Sequence, residues 1–428
     1  MTPAAGAWVI AVLLQSSTLA KDDDRLDVHV HATVAADTLP RRDVSELRPT
    51  IGAEVTVTPI RQLTIRFDGV VEGLLADRGR RVTRGIVSVR DAYVETHASV
   101  VDVRAGYGRI VWGRLDEIAP TDVINPLDAA RFLFDGRSEA RLPVTFVRAR
   151  VSASEHLRVE GVLVPRFRRG TFDRLDERSS PFNLVPDAVS NAGIAVGADR
   201  RQIEPRSGWQ GMAGGARVET TIGRVDASGS VYRGFDGLGP VAVQASIDPQ
   251  SATVIGQLVE FHPRFTMIGG DLETVSGPWV WRAEVAAFVD RSFISTSSLL
   301  SGGPARLVTG RSIDAGVGVD RRVGEWRAFG STVVHREWSD EDPAVSRTDV
   351  SVVGSIERPF RGDRYVARGF AVVNPADAAA FLRGVFTWKI RDTVTLDCSA
   401  GVFLGSSDDA IGRFSHRDFV LTRARYDF

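Results

Sequence analysis

Cysteine is nearly missing from these 428 residues: Cys398 stands alone, so neither an internal disulfide framework nor a cysteine-based zinc site is available. Lysine is almost as scarce, occurring only at Lys21 and Lys389, so nearly all the positive charge is arginine. An excess of either sign is also lacking. The 53 Lys+Arg and 54 Asp+Glu leave a net charge of −1, without the electrostatic footprint of a nucleic-acid binder. Nucleophile elbows, HExxH zinc sites and phosphate loops are absent, so no enzymatic activity and no cofactor are expected. What is present is 43% apolar residues, too many for a disordered chain.

The N-terminal segment Ala4–Ala20 is apolar for about ten residues, then small and polar, and Lys21-Asp22-Asp23-Asp24 follows at once. This pattern predicts a cleaved secretory signal peptide over residues 1–20 and a mature chain over 21–428. The run falls short of the ~20 apolar residues a membrane helix needs, and no later stretch approaches that length.

Along the mature chain the apolar period is two. Leu26–Val34 alternates almost without error, as do 51–58, 63–68 and 101–105. Further runs centre on Arg148, Glu160, Arg217, Ser228, Glu284, Gly316, Ala328, Ser351, Gly384 and Leu396. Each is about nine to twelve residues, the length of a tilted membrane strand. No convincing amphipathic helix separates them. Short connections (59–62, 97–100, 154–156, 222–224, 276–278, 321–324, 359–364, 390–392) alternate with longer ones (36–49, 76–84, 114–142, 168–208, 234–264, 290–311, 337–347, 374–378, 405–417). Tight turns at one end and long loops at the other belong to an up-and-down outer-membrane barrel. The expected fold is therefore all-β, one antiparallel transmembrane barrel of 18 strands, with Gln257–His262 taken as loop. Misreading one weak hairpin, such as 365–389, would leave 16.

Charge falls mid-strand on one face only. Trp279, Trp281, Ala283 and Val285 oppose Arg282 and Glu284; Trp326, Ala328, Gly330 and Val334 oppose Arg327 and Ser331. The charged face, expected to line the lumen, carries Arg66, Arg104, Arg148, Arg150, Arg217, Arg282, Arg327, Arg383, Arg423 and Arg425 beside carboxylates such as Glu160 and Glu284. The signs balance, so cross-strand arginine–carboxylate ladders are expected rather than a ring of one charge. Periodicity alone fits a soluble sandwich too. The last residues separate the two. Counting back by twos from Phe428 gives Tyr426, Ala424, Thr422 and Val420 on the apolar side, a strand ending in a terminal aromatic that resembles the assembly signal of bacterial outer-membrane barrels. The final strand must meet the first, Leu26–Val34, so that no unpaired edge faces lipid.

The segment Gly106–Phe134 is unlike the rest: a strand ends at Trp112-Gly113 and enters a loop containing Asp122-Val123-Ile124-Asn125-Pro126-Leu127-Asp128. With Arg90–Glu95 upstream and Gly270–Glu273 and Gly277–Glu284 downstream, it resembles the bacterial family labelled domain of unknown function 1302, whose members are read as porin-like outer-membrane barrels. The resemblance implies a channel or transport-accessory role and carries no catalytic residues across. Arg114, Asp116, Glu117, Asp122, Asn125 and Asp128 are the candidates for a loop folded inward as a pore constriction. The alternative is that Asn125-Pro126 and Asp128 form turns and the charges are solvated. His29 and His31 share a face and are expected to be a polar pair rather than metal ligands, since no third ligand can be assigned. Arg361-Gly362-Asp363 is expected to be a plain turn.

The expected function is a porin-like channel for small solutes. A transporter of lipid or hydrophobic substrates, its mouth capped by Arg168–Gly208 and Gly234–Arg264, and a structural barrel with a plugged lumen are the alternatives. Expected partners are outer-membrane lipids, the barrel-assembly machinery and small solutes, with no nucleic acid. The sequence does not set an oligomeric state.

Overall fold

The alternating segments pair in chain order in the computed structural model, which describes residues 25–79, 81–171, 195–247, 254–296, 305–406 and 411–428. The strands are β1 (Leu26–Leu39), β2 (Val44–Ile60), β3 (Leu63–Asp77), β4 (Arg81–Ala98), β5 (Val101–Gly108), β6 (Val144–Ser152), β7 (Leu157–Val164), β8 (Ala195–Ile203), β9 (Ala213–Ile222) and β10 (Val225–Phe235). They continue as β11 (Val241–Ile247), β12 (Val254–Phe261), β13 (Arg264–Ser276), β14 (Trp279–Ile294), β15 (Leu307–Val323), β16 (Trp326–Trp338), β17 (Ser346–Phe360), β18 (Tyr365–Asn374), β19 (Ala379–Arg391), β20 (Val394–Leu404) and β21 (Phe419–Asp427). All but β8, β11 and β12 form one 18-stranded antiparallel sheet.

That sheet closes on itself. β21 pairs with β1 from His31 opposite Asp427 to Thr38 opposite Val420, and the Phe428 amide donates to the Val30 carbonyl at 2.9 Å. Closure leaves no edge of free N–H and C=O groups, each of which would cost several kcal/mol in hydrocarbon. The hairpin 365–389 is present as β18 and β19, so the wall has 18 strands and not 16.

Several expectations about length need correction. β1 to β4 run 14 to 18 residues, and the connections read as 36–49 and 76–84 shrink to 40–43 and 78–80. Pairing continues through Glu46, Leu47 and Ala76 because a ladder needs only a partner opposite, whatever the side chains alternate as. Gln257–His262 is not simply loop: most of it lies in β12, which pairs antiparallel with β11 and parallel with β8 in a separate three-stranded sheet. The parity of the barrel survives because that sheet is built from the two long connections outside the wall. Residues 1–24, and with them the signal-peptide segment, lie outside the described residues, as do 172–194 and 248–253 of the two loops expected to cap the mouth.

The two faces alternate as the period requires. On β15, Ile313, Val317 and Val323 are exposed on the outside, while Ser312, Gly316 and Asp320 are buried within. The C-terminal positions Val420, Tyr426 and Phe428 are likewise exposed on the outer face. Arg361, Gly362 and Asp363 all take positive φ (52°, 64° and 66°), which makes them a tight left-handed turn between β17 and β18. One stretch of wall is low: β5, β6 and β7 have 8, 9 and 8 residues. Because β5 stops at Gly108, the chain leaves the wall well below the rim set by its neighbour β4, and there the next segment turns inward.

Candidate functional site

Residues 109–143 fill the gap left by short β5 and β6 and cross the lumen. Trp112, buried to 1% exposure, donates its indole N–H to Glu160 Oε1 of β7 at 2.7 Å. Arg114 Nε donates to Asp271 Oδ1 of β13 at 2.6 Å. Further on, the segment is clasped by Glu284 of β14. One carboxylate oxygen accepts the amides of both Arg114 and Leu115, and the other accepts the Thr121 amide and hydroxyl at 3.3 and 3.1 Å.

Gly113 makes this clasp possible. Its φ is +88°, and a Cβ there would lie 2.8–2.9 Å from Thr121 Oγ1 and both Glu284 oxygens. Only glycine lets the backbone adopt that conformation so close to a carboxylate. Leu115 then packs on the far wall, where Gly316 and Gly318 leave room for its two methyls and Val333 of β16 closes the contact.

The remainder of the segment turns back as two short helices, α1 (Ala129–Asp135) and α2 (Arg137–Ala140), elements the period-two pattern does not announce. Asp128 caps α1, accepting the Arg131 amide at 3.1 Å. α1 docks beside the seam: Asp135 pairs with Arg423 of β21 at 2.5 Å, and the Phe134 ring lies 4.6 Å from that of Phe419. Burial alone would push the Asp135 carboxyl up, but Arg423 and Arg131 beside it hold it below the usual aspartate range.

The six loop candidates therefore divide. Arg114 reaches the wall through both side chain and backbone. Asp122 is buried and accepts from Arg137 Nε at 3.0 Å and Arg141 Nε at 2.7 Å, so it ties α2 to the crossing segment. Glu117 accepts the Arg137 amide. Asn125 braces the base of the loop, accepting the Ile110 amide and donating to the carbonyls of Leu142 and Gly108. Asp116 is the exposed acid, facing the region of Arg327. Asn125 and Asp128 are thus the local structure-formers the alternative reading described, inside a segment that nevertheless folds inward.

Most wall arginines form the expected cross-strand pairs: Arg66 with Glu54, Arg104 and Arg148 with Glu95, Arg150 with Glu160, Arg282 with Glu273, and Arg327 with Asp320. Arg217 bridges Glu219 and Asp271. Besides Arg423, which pairs with Asp135 of α1, three positions depart from that pattern. Arg383 meets the Ser399 hydroxyl at 3.4 Å, Arg425 pairs within its own strand with Asp427, and Glu284 holds backbone amides rather than a guanidinium. His31 lies against Gly52, and His29 sits 3.4 Å from Asp27. Among the described residues no group of three or more His, Cys, Asp or Glu side chains is placed to hold a metal ion.

One feature escaped the sequence reading. The inner face of β10, β13 and β14 is apolar toward the long-loop end, where Tyr232, Phe265, Met267 and Phe288 form a core with Ile110, Trp112 and Ile124 of the crossing segment. The signal was present: Phe265 and Met267 share parity with Asp271, and Phe288 with Glu284, so these strands are apolar on both faces above their charged midpoints. On the long-loop side of the crossing segment is a cavity of about 400 Å³. Phe235, Phe265 and Phe288 line it together with Arg137, Arg291 and His335, and Arg291 lies over the Phe288 ring at 5.0 Å.

A family model described as "Protein of unknown function (DUF1302)" matches residues 62–305, which include the whole crossing segment and the strands carrying Glu160, Asp271 and Glu284. No curated protein matches the chain. Among solved structures it is similar to OccAB4 of Acinetobacter baumannii, at 8% identity over 96% of this chain and 99% of that one, with a TM-score of 0.50. It is also similar to the outer membrane channel DcaP of Acinetobacter baumannii, at 11% identity over 95% and 99%, with a TM-score of 0.44. A third is the Salmonella typhi OmpF complex with daunomycin, at 10% identity over 94% and 97%, with a TM-score of 0.44. At such identities the likeness is one of fold.

Proposed function

The chain belongs to the family described as "Protein of unknown function (DUF1302)", and from that premise we propose that it is a porin-like channel of the outer membrane that passes small solutes. The observation that carries the reading is a closed 18-strand wall, apolar outside and ionic inside, crossed by a segment pinned to Glu160, Asp271 and Glu284. A barrel of this size encloses an aqueous lumen unless something fills it. Residues 109–143 narrow that lumen without being part of the wall, and Arg114, Asp116 and Glu117 supply charge of both signs along the crossing stretch. This reading includes export behind the signal peptide at residues 1–20, folding guided by the C-terminal strand, and no catalytic role.

A second reading, passage of more hydrophobic solutes, draws support from the aromatic residues Phe235, Phe265 and Phe288 in the lining of the cavity. Conductance across a planar bilayer tests the channel: stable steps are expected, and a correctly folded protein that stays silent over many insertions refutes it. Reversal potential in a salt gradient then reports ion preference, expected to be weak because most lumenal charges are paired. Competition by small aromatic solutes, read as blocked current, separates the second reading from the first.

A further inference from the structure

Arg321 and Arg358 face outward, on the apolar side of the barrel. On β15 and β17 the outer face is marked by the exposed Val317 and Ile356, and Arg321 and Arg358 share their parity. Both lie near the short-turn end. Arg321 stands 4.3 Å over the Trp279 ring, and Arg358 stands 5.0 Å from Trp326 and 4.8 Å from Phe360. Among the described residues Arg321 has no carboxylate partner, and Arg358 has only the largely exposed Glu325 at 3.5 Å. The Nε atoms of both are buried and without a hydrogen-bond acceptor. Arg321 is level with Ile356 and Arg358 is opposite Trp326, so the two positions are two strands and two residues apart, about 12 Å between backbones, with Arg321 leaning over β14, away from β17.

Beside them is an outward groove of about 550 Å³ that Trp326, Ile356, Phe360 and Phe386 line. Its floor is low because Gly369 and Gly384 are on it: a Cβ at Gly384 would touch nothing, and one at Gly369 only Ile356 at 3.5 Å. A trough wide enough for an acyl chain thus ends at Arg358, with Arg321 beyond it on the same outer face.

We propose that this face binds an anionic phospholipid from the leaflet at the short-turn end, its acyl chain in the groove and its phosphate at Arg358, with Arg321 adding attraction for the headgroup from the adjoining face. The inference rests on the membrane placement proposed above. Charge selects the occupant. A second copy of the chain seated here would bury two guanidiniums against an apolar wall, whereas a phosphodiester at the membrane surface pairs with a guanidinium and stays hydrated. The flanking Trp279, Trp326 and Phe360 suit the depth at which headgroups meet hydrocarbon.

The test uses the full protein in neutral detergent, titrated with phosphatidylglycerol or phosphatidylcholine and read by native mass spectrometry. Wild type is expected to retain phosphatidylglycerol in preference, Arg321→Gln and Arg358→Gln each to weaken retention about fivefold, and the Arg→Lys variants to restore most of it. Equal retention of both lipids, unchanged retention in the double glutamine variant, or a protein–protein oligomer that excludes lipid from wild type overturns the proposal. Bilayer conductance of the same samples keeps the two readings apart: a protein that conducts but shows no lipid preference refutes only this inference, while one that never inserts refutes the membrane placement itself.

Discussion

Replacing Glu284 by glutamine isolates what holds the crossing segment in place. Glutamine keeps the length and one acceptor oxygen, which the Arg114 and Leu115 amides can still use. The other oxygen becomes an NH2 facing the Thr121 amide, and the charge behind all four hydrogen bonds is lost. Hydrogen bonds to a charged group contribute about 1.5–3 kcal/mol each, but they are not additive and the freed amides rebond to water, so about 3 kcal/mol of docking energy is at stake. At 1.4 kcal/mol per decade, that raises the undocked population roughly a hundredfold. Single-channel recording reads this directly. E284Q is expected to show larger mean conductance and frequent transitions between levels where wild type is quiet. Glu273→Gln, which breaks the Arg282 pair without touching the loop, is the control and is expected to stay quiet. Should E284Q fold with its normal heat-modifiable migration and record like wild type, the clasp does not govern the lumen and the reasoning fails.

Gly113→Ala attacks the same clasp from the other side. A strained φ of +88° and contacts near 2.8 Å are expected to displace the segment at a cost of about 1–3 kcal/mol, seen as faster proteolysis within 109–143. Asp135 carries a pH dependence whose sign is fixed by its lowered pKa: the stabilisation from Arg423 is present above 3.8 and is lost as pH falls through the lower folded value. Titration from neutral to acidic pH is therefore expected to leave α1 docked until below 3.8. Asp135→Asn is expected to loosen it at neutral pH and to remove this pH dependence, read by hydrogen exchange of 129–135. Val317→Arg, on the outer face at 62% exposure, is expected to destabilise the barrel in vesicles by about 2–4 kcal/mol in urea unfolding, and a neutral result argues against lipid contact there.

The wall was readable because its constraint is strictly local: alternate positions meet different surroundings, so Val317 and Gly318, or Trp281 and Arg282, declare their sides from sequence alone. The seam was readable in part: the last strand does pair with β1, but along His31–Thr38, so half of its partners lie beyond Leu26–Val34. Strand ends were less visible, because the β1–β2 ladder runs past the point where alternation stops. The crossing segment was legible as an anomaly but not in its contacts. Glu284 and Asp271 lie more than 150 residues from Arg114, and nothing in the alternation distinguishes a carboxylate that pairs with a neighbouring arginine from one that grips passing amides. The short helices follow from that folding-in, and Asp128 as a cap reads only once α1 is known to exist.

The pairing of β1 with β21 joins the two extremes of the polypeptide, with Ala32 opposite Tyr426. It is the most non-local contact the molecule makes, and every other hairpin can register before it. A chain lacking β21 would therefore carry two bare flanks at once, each offering a template to any other open chain nearby. Closure of this seam, not the accumulation of strands, is then the event that turns an adhesive ribbon into an inert cylinder.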